Sequence, residues 1–83
     1  MGINKIELLC LSTLRDDYEN ASSISPDISR EIGKAIDEQE IALHLKRLAE
    51  IGLIDVFQYD EMKGYNKISG KNLTLNDNIW FMI

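Results

Sequence analysis

The sequence has few of the residues that carry most recognisable chemistry. It holds one cysteine, one histidine and one proline in 83 residues. A single cysteine, Cys10, excludes an internal disulfide. Set among apolar residues of a predicted helix, it reads as a buried thiol packed like a small hydrophobe. Cys10 and His44 belong to no cluster with metal-ligand spacing, so no metal is expected. The sequence shows no nucleophile beside a base, no catalytic carboxylate pair and no phosphate loop. An enzyme is therefore not expected, nor a cofactor. Long apolar runs are missing as well. Lys5 and Glu7 interrupt the N-terminal stretch, which argues against a signal peptide, and no segment reaches membrane-spanning length. The triplets Asn20-Ala-Ser and Asn72-Leu-Thr then read as chance matches to a glycosylation site. A soluble, intracellular, cytoplasmic protein is the expectation.

Positive charge is also scarce. Nine basic residues face fourteen acidic ones, for a net charge of −5. The deficit is local: residues 1–45 hold four basic and nine acidic side chains, while residues 46–83 hold five of each. Nucleic acid repels such a chain overall, so a DNA contact needs a locally basic surface. The candidates are Lys46, Arg47 and the run of Lys63, Lys67 and Lys71, helped by Arg30 and Lys34.

What is present suffices for one small domain spanning 1–83, with an ordinary apolar fraction and a thin core. A truncation such as Leu48→Ala is expected to cost roughly 2–5 kcal/mol. The first helix starts near Asn4, with Glu7 three residues on as its capping partner. Ile6, Leu9, Cys10 and Leu14 follow helical spacing. "RDDYENASS" reads as a loop. Ser25-Pro26 signals the start of a second helix carrying Ile28, Ile32 and Ala35, with Gly33 marking its end or a close approach. Asp37 caps the third, whose acids Glu38 and Glu40 suit the positive helix end. Ile41, Leu45 and Leu48 form its buried stripe, Gly52 is the expected left-handed residue after it, and Leu53 packs back onto it. From Ile54 the period changes. "IDVFQY" reads as a strand, "DEMKG" as a turn and "YNKI" as the returning strand. For the tail, residues 73–83, two readings stand. It is a strand, or Thr74 and Asp77 cap a short helix with Leu75, Ile79 and Met82 on one face; the helix is preferred.

This order of elements resembles the winged-helix superfamily, with a MarR- or PadR-like core. The matching residues are Ile32-Gly33, Ile36-Asp37, Ile41, Leu45, Leu48, Gly52-Leu53-Ile54 and Leu73-Thr74. The resemblance implies an α+β fold, a three-helix core with a C-terminal β-hairpin wing. It implies a DNA-binding transcription regulator, with recognition helix 38–51 in the major groove and wing 54–71 on the backbone. The alternative is a module of the same fold that binds protein, through Leu43 and the apolar tail, and not DNA.

With Ile41 at the centre of the buried stripe, Gln39, Leu43 and Lys46 face outward, with Arg47 beside them. On the DNA reading Gln39 pairs with an adenine edge, and Lys46 and Arg47 hold phosphates. Gln39, Ala42 and Leu43 stand where the family usually carries Ser, Thr, Arg or Asn for base reading. Leu43 suits a thymine methyl or a protein contact. Lys63, Lys67 and Lys71 fall on the wing, with Tyr65 between them to pack on sugar or on the hairpin itself. Each also has a plainer use: a solvated helix face, or lysines that keep hairpin edges from pairing. His44 is expected to be packed and hydrogen-bonded. The ending "IWFMI" either covers the open side of the core or makes a homodimer through Trp80, Phe81 and Met82, which would present two recognition helices to double-stranded DNA.

Overall fold

The computed structural model describes residues 2–14, 18–76 and 78–83. Three helices are followed by three antiparallel strands: α1 (Lys5–Thr13), α2 (Ala21–Ile32), α3 (Glu38–Glu50), β1 (Asp55–Asp60), β2 (Gly64–Ile68) and β3 (Ile79–Met82). The fold is α+β, as expected.

Local chemistry sets the helix ends. The Asn4 side chain accepts from the Glu7 N–H at 2.8 Å, and Glu7 Oε1 accepts from the Asn4 N–H at 3.2 Å. That reciprocal pair is the expected capping box. In α3, Asp37 Oδ1 accepts from the Gln39 N–H at 3.0 Å. The helix then runs unbroken to Glu50, and beyond its cap Ile51 lies Gly52, whose φ of +84° suits a residue without a Cβ. The Leu53 N–H donates to the Leu48 carbonyl, and that of Gly52 to the Ala49 carbonyl, closing a Schellman motif. The Leu53 side chain stays exposed, and Ile54 is the residue that enters the core.

Two expectations are corrected. The second helix starts at Ala21, ahead of Ser25-Pro26, because Asn20 and Ser23 form their own reciprocal box. Its first turn buries Ala21 and Ile24, while Ala35 lies exposed beyond Gly33. Of the expected loop, residues 15–17 lie outside the described residues. The end of the tail is a strand. Ile79–Met82 pairs with Asp55–Gln58, so both edges of β1 are hydrogen-bonded. Period two buries Ile79 and Phe81 and turns Trp80 and Met82 to the other face. Asp77, expected to complete the helix box, lies outside the described residues.

The sheet order is β2-β1-β3, and an isolated bridge joins Glu19 to Phe81 on the far side of β3. The core lies between the helices and one sheet face, where Ile24, Ile28, Ile41, Leu45 and Leu48 meet Val56 and Phe81. Gly70 lets the segment after β2 lie against the end of α3: a Cβ there would collide with the Ala49 carbonyl.

Candidate nucleic-acid interface

Helix α3 is amphipathic, and burying Ile41, Leu45 and Leu48 forces its other side outward. Gln39 is exposed there, Leu43 is 62% exposed, and Ala42 and Lys46 are half-buried. Lys46 makes no ion pair with any described residue.

Arg47 is committed elsewhere. Its guanidinium donates to Glu7 Oε1 and, at 3.2 Å, to the Gly2 carbonyl. Glu7 is fully buried, and its second oxygen lies 2.9 Å from His44 Nδ1. Burial alone would raise the Glu7 pKa. The hydrogen bond to His44, the Asn4 N–H and the Arg47 charge outweigh it and hold the carboxylate below its ordinary value. The carboxylate is thus capping partner of α1 and anchor for two residues of α3. His44 is hydrogen-bonded, as expected of it. The partner was missed because 37 residues separate it from Glu7, and its capping role already explained the acid.

The hairpin residues divide in the same manner. Lys67 Nζ lies 3.4 Å from Asp55 Oδ1. Tyr65 stacks on Tyr18 with ring centroids 3.7 Å apart, and lies 5.1 Å from Tyr59 and 5.9 Å from Trp80. Tyr18 also meets the edge of Phe57 at 4.9 Å. Five of the six aromatic residues therefore gather on the sheet face away from the core; Phe81 is the sixth. Strand alternation puts Phe57 and Tyr59 on this face, while Tyr18 comes from a segment with no strand pattern. Lys63, in the β1–β2 turn, and Lys71, beyond β2, are exposed and make no ion pair among the described residues. Arg30 pairs with Asp27 at 3.3 Å.

A groove of about 470 Å³ runs beside the exposed side of α3. Gln39, Ala42 and Leu43 form one wall, and Leu75, Ile79 and Phe81 contribute from the C-terminal segment. Leu43 and the apolar tail thus share one depression. Phe81 is part of the core, so strand-mediated pairing would use Trp80 and Met82, without it.

Among the described residues no cluster of His, Cys, Asp and Glu could hold a metal ion, and no helix is long and apolar enough to cross a membrane. Comparison with known proteins finds no matching family model, no matching curated protein and no matching solved structure.

Proposed function

We propose that this chain is a small winged-helix DNA-binding domain acting as a cytoplasmic transcription regulator. Helix α3 docks in the major groove, and the β1–β2 hairpin with the segment after it lies on the backbone as the wing. One observation carries the reading. A continuous helix with its outer side bare is followed directly by a hairpin, and Lys46, Lys63 and Lys71 have no acidic partner among the described residues. On this reading Lys46, Lys63 and Lys71 contact phosphates and position the helix. Gln39 reads an adenine edge, and Leu43, with Ala42 beside it, meets a thymine methyl. Arg47, Lys67 and Tyr65 serve the scaffold: Arg47 locks α3 to α1, Lys67 meets Asp55, and Tyr65 packs in the aromatic face. A homodimer through Trp80 and Met82 would bring two copies of α3 to a two-fold site.

The test is fluorescence anisotropy with a labelled duplex at low salt. The combined K46A, K63A and K71A variant should lose most of the binding while its melting curve is unchanged. Equal binding by the variant and the parent would refute the reading.

A second reading, an interaction module that binds protein, is favoured by a separate observation. The groove brings Leu43 and the C-terminal apolar residues together on the helix side proposed to face DNA.

A further inference from the structure

We infer that the groove beside α3 is a docking site for a short basic amphipathic helix of another protein. The inference deepens the interaction reading and does not depend on DNA contact.

Shape supplies the first argument. Alanines at positions 21 and 42 leave room between α2, α3 and the C-terminal segment, and Ile79 and Phe81 lie at its base. Leu43 stands at the wall, 62% exposed, where a partner would cover it. At about 470 Å³ the groove is roomy enough for two or three apolar side chains.

Backbone pairing decides between a helix and a strand. An extended peptide adds to a sheet through the unpaired edge of a strand. Here β3 bonds to β1 on one side, and on the other Phe81 exchanges two hydrogen bonds with Glu19, at 2.7 and 2.9 Å. The groove therefore offers side chains and little backbone. Its occupant must satisfy its own N–H and C=O groups, as a helix does.

Charge sets the sign. Glu38 is the one charged residue lining the groove among the described residues, and no lysine or arginine lines it. The first 45 residues carry a net −5. An anionic partner is repelled, whereas a helix with Lys or Arg on its flank is attracted and meets Glu38. A second copy of this acidic chain fits less well. Docking would cover Gln39 and Leu43, so helix and duplex would compete for one side of α3.

The probe is a synthetic 14-residue peptide of leucine and lysine, patterned as an amphipathic helix and titrated into ¹⁵N-labelled full-length chain. Saturable amide shifts should centre on residues 39–43 and 75–81. Leu43→Lys and Leu43→Ser, both at an exposed position, should each weaken binding at least tenfold without moving the melting curve. Glu38→Gln should weaken it several-fold at low salt. A peptide with glutamate for lysine should not bind. Shifts scattered over the acidic surface without saturation, shifts on the Tyr65 face, or unchanged affinity in the Leu43 variants would overturn the inference. So would self-association through the groove without peptide. The K46A, K63A and K71A variant, which is more acidic, should bind the peptide at least as tightly as the parent, so a failure of the DNA reading shows separately.

Discussion

Glu7 is where one side chain has the most consequence. It is buried, ionised and shared among the Asn4 N–H, His44 and Arg47. Replacing it with glutamine removes the charge that Arg47 and His44 face. Glu7→Gln should destabilise the fold by about 3 kcal/mol at pH 7, the low end for breaking a buried pair, because Arg47 is partly solvated. The pH dependence has a definite sign. The folded-state pKa is lowered from the usual 4.5 or so, so the contribution is complete above that pH. It is lost as pH falls through the folded value. Urea titrations of parent and variant at falling pH should therefore show the gap closing in acid. Cys10 gives a second prediction. Burial pushes its thiol up to about 12, with the Glu7 charge adding to the effect. Labelling by a disulfide reagent at neutral pH should then proceed no faster than unfolding exposes the thiol. Fast stoichiometric labelling of folded protein would contradict this.

At the scale of elements, what was legible in the sequence is what short-range chemistry decides. Asn4 with Glu7, Asp37, Gly33 and Gly52 mark helix ends within a few residues of themselves, and each acts as its residue type implies. The start of α2 was misread because Ser25-Pro26 is a strong signal in isolation. The box between Asn20 and Ser23 overrides it and places Pro26 one turn further inside, leaving one carbonyl without an intrahelical donor. Asn20→Ala should cost about 1 kcal/mol. It should also release the Ser23 and Ile24 amides, which donate to Asn20, to faster exchange, fraying the helix back towards Ser25-Pro26. Full protection there would contradict that role. The end of the tail, Ile79–Met82, is a strand for a reason no local pattern holds. Helical and strand periods both fit "LTLNDNIWFMI", and the open edge of β1, more than twenty residues earlier, selects the strand.

For the whole molecule, the proposed function asks how an acidic chain would approach DNA. The counts of Lys and Arg were legible in the sequence, but their partners were not. Asp55 lies beside Lys67 at the surface of the sheet, and Glu7 takes Arg47 from another helix. Five lysines make no ion pair among the described residues, and of these Lys46, Lys63 and Lys71 lie on the helix and hairpin segment proposed to contact phosphate. Each contact contributes a slope of about −0.9 to the fall of log affinity with log salt, so the total should be about −3. Each single alanine variant of Lys46, Lys63 or Lys71 should lower that slope by about one. A salt-independent affinity would be incompatible with this surface. The groove was equally hidden, since α2, α3 and the C-terminal segment meet only in three dimensions.

The central proposal is that the bare side of α3 with Lys46, Lys63 and Lys71 forms one duplex-binding surface. Amide and side-chain shift mapping of the ¹⁵N-labelled chain with a short duplex at low salt tests it most directly. The account predicts perturbations centred on Gln39, Leu43, Lys46, Lys63 and Lys71, with the Tyr18, Phe57 and Trp80 face unmoved. No perturbation under those conditions, or shifts confined to that aromatic face, would contradict it.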